Sequence, residues 1–109
     1  MNIKSDAIDR LFESILKLET VEDCYKYFED LCTVKEIQDM AQRLEAAILL
    51  NKGDSYQMIV EKTGLSTATI GRVSKCLNYG SGGYLETIAR LGAGVKNTEK
   101  EAASTGEDK

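Results

Sequence analysis

The stretch YQMIVEKTGLSTATIGRVSKCL, residues 56–77, has the pattern of two short helices joined by a tight turn. Ile59 gives the first helix an apolar inner face, and Gly64 provides a sharp turn that a side chain would obstruct. Apolar residues recur at three- and four-residue steps in the second helix, which predicts one buried stripe. That stripe comprises Ile70, Val73 and Leu77. The stretch therefore predicts a helix-turn-helix over about residues 56–78.

The composition predicts an all-α chain. Its 109 residues include no proline, no histidine and no tryptophan, while Leu, Ala, Glu, Lys and Ile dominate. A chain of this length forms one small domain that buries only a modest part of its surface alone, so oligomerisation is expected.

Residues typical of helix ends predict about six helices in one domain over residues 1–95. Capping residues precede four apolar-periodic segments, and Gly53 ends the third of these. The capping residues are Ser5, Thr20 with Asp23, Thr33 with Glu36, and Ser55. The third helix should run to about Leu50, and its apolar residues Val34, Ile37, Ala41, Leu44 and Ile48 follow each other at helical spacings of three and four. A glycine-rich loop over residues 78–83 precedes a last helix at about 84–91, and the polar residues 96–109 are predicted to be a disordered tail.

The charge distribution and the cysteine content limit the classes of partner that the chain is expected to bind. The net charge is −4, yet residues 56–95 hold four basic and two acidic residues, so positive charge is concentrated on the helix-turn-helix. This distribution favours site-selective or ligand-assisted DNA binding over strong non-specific binding. Cys24, Cys32 and Cys76 have no histidine beside them to complete a zinc site, so no metal is expected. The chain lacks a long apolar run, which predicts no membrane partner and a cytoplasmic location.

The segment TGLSTATIGRVSKCLNYG, residues 63–80, resembles the recognition-helix region of the Trp repressor family, in particular its YerC/YecD-related branch. The motif STATI, followed by Arg72 and a polar turn into Leu77, carries the resemblance, which extends over about residues 33–91. The family implies an intertwined homodimer that regulates transcription, with two recognition helices meeting successive major grooves of double-stranded DNA. Self-association would also bury the stripes of a short chain against its twin.

The resemblance also implies a ligand site. The family repressor holds tryptophan between two arginines, and Arg43 and Arg72 occupy the matching positions here. Thr33 matches the threonine that helps to hold the ligand carboxylate, and Cys76 stands where a serine contacts the ligand amino group. Val73 replaces a glycine that leaves room for the ring. No cofactor is required, and tryptophan or another small corepressor is the ligand that the resemblance implies.

The start and outer face of the second motif helix are predicted to contact DNA. Thr69, Arg72 and Lys75 recur at three-residue steps on a face without Ile70 and Val73. The predicted DNA-contacting residues are Ser66, Thr67, Ala68, Thr69, Gly71, Arg72 and Lys75. The alternatives are helix capping by Ser66 or Thr67, and, for the arginines, solvated charge or an ion pair such as Arg43 with Asp39.

Two other functions fit parts of the sequence. A helical protein-interaction module that does not bind DNA is supported by the net negative charge. A small helical enzyme in the manner of chorismate mutases draws on Ile8, Asp9 and Arg10, but the chain has no histidine and no evident nucleophile with a base, so no enzyme is predicted.

Tyr25, Tyr27 and Phe28 are expected in dimer or core packing, and Tyr79 and Tyr84 in packing of the last helix.

Overall fold

The structure, a computed structural model, describes residues 2–95, and every regular element among them is a helix. The helices are α1 (Asp6–Ile15), α2 (Val21–Leu31), α3 (Val34–Lys52), α4 (Tyr56–Thr63), α5 (Thr67–Tyr79) and α6 (Gly83–Val95). The prediction of an all-α fold with about six helices is therefore confirmed. The predicted tail over residues 96–109 lies outside the described residues. Within residues 2–95, no helix has the length and apolar content needed to cross a membrane.

Side-chain caps begin the helices where the sequence predicts them. The hydroxyls of Ser5, Thr20 and Ser55 each accept a hydrogen bond from a backbone N–H three residues later. Thr33 and Glu36 form a reciprocal capping box, with N···O distances of 3.1 and 2.8 Å. These bonds satisfy N–H groups that have no partner inside the helix, which explains why the starts could be located from sequence.

Several helix ends differ from the prediction. Helix α3 continues two residues past Leu50, and Gly53 follows it with φ = 100°. Helix α5 includes Asn78 and Tyr79, which were expected in a loop, and α6 extends from Gly83 to Val95 instead of over 84–91. The N–H of Gly80 donates to the carbonyl of Cys76 over 2.9 Å and completes the last turn of α5, which leaves residues 80–82 as the connection.

The described residues divide into two compact units, 2–39 and 40–95. In the first unit, α1 and α2 contain no buried residue. The hydroxyls of Ser14 and Tyr27 lie 2.7 Å apart and join the two helices. Large apolar side chains on these helices and their connection remain exposed, namely Phe12, Leu16, Val21, Tyr25 and Leu31. Tyr27 and Phe28 are half-buried.

The second unit contains the apolar core. Its buried members are Ala46, Ala47, Ile59, Ile70, Val73 and Leu77, and Leu65, Tyr84 and Ile88 are among the partly buried side chains that pack against it. The predicted buried stripe of α5 is confirmed. On α3 the buried residues are Ala46 and Ala47, both members of the core cluster, while the apolar positions at three- and four-residue spacing are exposed or half-buried.

Candidate nucleic-acid interface

Gly64 makes the turn between α4 and α5 through its backbone conformation. Its φ is +77°, and its N–H donates to the carbonyl of Val60 over 2.8 Å, which closes α4. A Cβ added at Gly64 would meet no atom within 4 Å. The expectation that a side chain would obstruct the turn is therefore wrong, and glycine is favoured because L-residues rarely adopt this left-handed φ.

Helix α5 separates an apolar face from a polar one. Ile70, Val73 and Leu77 are buried, with Val73 only 3% exposed. At 100° per residue, the opposite face is centred on the positions of Ala68, Arg72, Lys75 and Tyr79, all of which are exposed. Thr67 is exposed beside this face, and Thr69 and Gly71 are half-buried at its edges. The buried stripe thus fixes which side chains α5 presents outward.

A short hydrogen-bond network begins at the cap of α5. Ser66 is the N-cap, which resolves the choice between Ser66 and Thr67, and its Oγ accepts from the N–H of Thr69 over 3.1 Å. The Ser66 hydroxyl also donates to Thr69 Oγ1 over 3.1 Å, and Arg72 Nη2 donates to the same oxygen over 3.5 Å. The guanidinium of Arg72 is consequently directed toward the N-terminal end of α5.

The basic side chains of α5 carry no neutralising partner within residues 2–95, because none of the ion pairs there involves Arg72 or Lys75. The sequence alternative in which Arg43 pairs with Asp39 is not observed, since Asp39 lies 3.2 Å from Lys35 in an (i, i+4) pair. Unpaired cations on an exposed helix face can neutralise phosphates.

Tyr79 belongs to the exposed face of α5, contrary to the prediction that it packs against the last helix. Its side chain is 85% exposed, whereas Tyr84, for which the same prediction was made, packs against the core. The signal was available in the sequence, because Tyr79 follows Arg72 by seven residues and Lys75 by four. Extending α5 by two residues would have placed it on this face.

Of the residues predicted to hold a ligand, Arg72 and Cys76 lie one helical turn apart on α5. Thr33 lies in the first unit, where its hydroxyl caps α3, and Arg43 is exposed on α3 in the second unit. Cys76 borders a cavity of about 470 Å³, a size that accommodates small molecules. Its other described lining residues are Leu44, Gly80, Ser81, Gly83, Tyr84 and Thr87. Arg43 and Arg72 do not belong to that set.

Comparisons with known proteins agree on one family. The family model described as Trp repressor protein matches residues 6–92. The uncharacterized protein YerC of Bacillus subtilis strain 168 is 49% identical over 102 residues, which cover 94% of each chain. A crystal structure of a TrpR-like protein from Eubacterium eligens ATCC 27750 superposes with a TM-score of 0.80 at 47% identity, covering 83% of this chain and 93% of the other. A protein from Staphylococcus aureus, provisionally described as a Trp repressor, gives a TM-score of 0.79 at 44% identity and 82% and 89% coverage.

Proposed function

We propose that this chain, which belongs to the Trp repressor family, is a sequence-selective DNA-binding transcriptional regulator that acts as a homodimer. The observation that carries the proposal is the exposed polar face of α5, held outward by the buried stripe on the opposite side. In a helix-turn-helix, the second helix lies in the major groove and its N-terminal residues contact base edges. Helix α5 is the second helix of this motif.

Each group on α5 has a distinct role in this proposal. The backbone N–H groups of Ser66 and Thr67 and the hydroxyl of Thr67 suit phosphate oxygens, whereas the Ser66 hydroxyl donates to Thr69. Ala68 and Gly71 are small and allow a close approach to the bases, and Thr69 and Arg72 supply hydrogen-bond donors to base edges. Lys75 contributes a phosphate contact that carries no sequence information.

The homodimer is supported by the first unit. Helices α1 and α2 bury no residue, while large apolar side chains stay exposed, among them Leu16 at 82%. Monomeric proteins rarely leave such apolar surface uncovered. We propose that a second copy covers it, as the family's intertwined dimer implies, and sets two copies of α5 about 34–36 Å apart on the operator. Sedimentation analysis should give twice the chain mass; a monomer at micromolar concentration would refute the dimer.

A small ligand at the cavity beside Cys76 is a further part of the proposal. Cys76 lies one helical turn after Arg72, so a ligand there would act directly on α5. Val73 stands where the tryptophan-binding repressor has a glycine that leaves room for the ring, which disfavours tryptophan and favours a different corepressor. Thermal unfolding with each of the twenty amino acids and several indoles tests this, because a ligand at a hundredfold excess over its Kd adds about 2.7 kcal/mol of stability. No shift with any of them would argue for a regulator without a ligand from these classes.

A random-site selection at about 100 mM salt tests the central proposal, because weak non-specific binding is reduced there. The wild type should enrich a pseudo-palindromic sequence. Lys75→Ala should weaken binding evenly across sequences and lower the salt dependence of log K by about 0.9. Arg90→Ala, at an exposed arginine on α6 outside the α5 face, is the matched control and should bind as the wild type does.

The same experiment separates the alternative function. If the wild type enriches no sequence and a stoichiometric protein partner is recovered with it, the function is that of a protein-interaction module and not of a DNA-binding regulator. The net charge of −4 and the exposed apolar side chains of the first unit are the observations that favour that alternative.

A further inference from the structure

The hydroxyl of Thr69 has only its proton left to offer to a partner outside the chain. A hydroxyl has two accepting lone pairs and one donating hydrogen. Thr69 Oγ1 accepts from the Ser66 hydroxyl at 3.1 Å and from Arg72 Nη2 at 3.5 Å, which engages both lone pairs. Within residues 2–95, no hydrogen bond uses the proton of this hydroxyl. Toward a partner outside the chain, the hydroxyl of Thr69 can therefore act only as a hydrogen-bond donor.

The guanidinium of Arg72 has a defined direction and can still donate most of its N–H groups to a partner outside the chain. Its contact with Thr69 is long, so it orients the guanidinium toward the start of α5 without occupying most of its five N–H donors. No carboxylate within residues 2–95 forms an ion pair with it. Thr69 and Arg72 therefore present donors side by side at the end of the helix that approaches base edges.

Guanine is the base that matches two adjacent donors. In the major groove it offers two neighbouring acceptors, N7 and O6, whereas adenine places a donor beside N7 and cytosine offers a donor. We infer that Thr69 directs Arg72 to a guanine and donates its own proton to the same base, and that each half-site of the operator contains this guanine. The inference rests on the proposed function, because it requires α5 to lie in the major groove.

The test measures binding to the operator that the wild type selects. Replacing the specified guanine by 7-deazaguanine, which lacks the N7 acceptor, should weaken wild-type binding about tenfold, or 1.4 kcal/mol. Thr69→Val keeps the shape of the side chain and removes the hydroxyl. The same base change should therefore weaken operator binding by Thr69→Val twofold or less. Thr69→Ser restores the hydroxyl and should recover the wild-type penalty. Arg72→Ala removes the guanidinium donors and should lose the guanine preference, whereas Arg90→Ala should retain it.

The outcomes separate this inference from the proposed function. A wild type without any sequence preference overturns both. A wild type that is selective but insensitive to 7-deazaguanine overturns the inference alone, and this measurement needs no variant to fold. A Thr69→Val protein that unfolds at the wild-type temperature and keeps the full guanine penalty also overturns it, because Thr69 would then have no part in directing Arg72.

Discussion

Replacing Gly71 by alanine should make the protein more stable and its DNA binding weaker. Gly71 lies inside α5, and a Cβ built there meets no atom within 4 Å. Its φ is not positive, in contrast to Gly53, Gly64 and Gly82. Glycine in a helix interior costs about 0.8–1.0 kcal/mol relative to alanine, so Gly71→Ala should add about 1 kcal/mol of stability. For a domain of this size, that raises Tm by about 4–8 °C.

The same methyl group should interfere with DNA. Gly71 precedes Arg72 at the edge of the outward face of α5, where the proposed groove contact requires a close approach. Displacing the helix weakens base contacts, each of which is worth about 1–3 kcal/mol when bidentate. We expect at least a tenfold loss of affinity for the selected operator. Opposite signs for stability and binding cannot arise from misfolding.

Circular dichroism at a fixed protomer concentration and fluorescence anisotropy with labelled operator measure the two effects. Gly64→Ala is the matched control, since its Cβ is equally free of contacts but its φ is +77°. The left-handed conformation costs an L-residue about 1–2 kcal/mol, against about 0.4–1 kcal/mol gained by restricting the unfolded chain, so this variant should lose stability. An unchanged or lower Tm for Gly71→Ala would refute the helical assignment, and unchanged affinity would refute the orientation of α5.

Three further predictions concern other parts of the molecule. Ile70→Ala removes a fully buried side chain and should cost about 3 kcal/mol in urea unfolding, whereas Ile70→Val should cost about 1 kcal/mol; a loss below 1 kcal/mol for Ile70→Ala would contradict its core position. Tyr79→Phe should weaken operator binding a few-fold with Tm unchanged, because the phenol is exposed on the α5 face; unchanged binding would remove it from the interface. The backbone N–H of Glu19 donates to the carboxylate of Asp23 and lowers its pKa; burial acts in the opposite direction, and hydrogen bonds from the side chain and backbone of Thr20 lower the pKa further. This contribution to stability is present at neutral pH and is lost as the pH falls through the lowered pKa, so an NMR titration should show Asp23 protonating below the ordinary aspartate range and Asp23→Asn should reduce the acid sensitivity of unfolding.

Features set by neighbours in the chain were predicted well. The capping box of Thr33 and Glu36 and the positive φ of Gly53 each depend on groups within a few residues. The alternation of buried and exposed positions along α5 follows from the helical repeat alone. The family resemblance rested on the same local motif, which is why it was visible before any tertiary contact was considered.

Features that depend on contacts between distant residues were predicted less well. The helical spacing of apolar residues on α3 does not reveal that Ala46 and Ala47 are the residues buried in the core. Periodicity identifies an apolar stripe but not the surface that covers it, and Ile37, Leu44 and Ile48 are half-buried. The exposure of Tyr79 was likewise missed, because it depends on where α5 ends.

The amino-acid sequence alone predicts an all-helical protein, most of the helix starts, and a helix-turn-helix over residues 56–77. Those properties come from hydrogen bonds and side-chain spacing over three or four residues. The folded structure is needed to show which face of α3 enters the core, that Tyr79 lies on the outward face of α5, and that Arg72 is directed toward Thr69. Those properties depend on which surfaces meet in space and on the rotamer each side chain then adopts, and the helix-turn-helix pattern is compatible with several such arrangements.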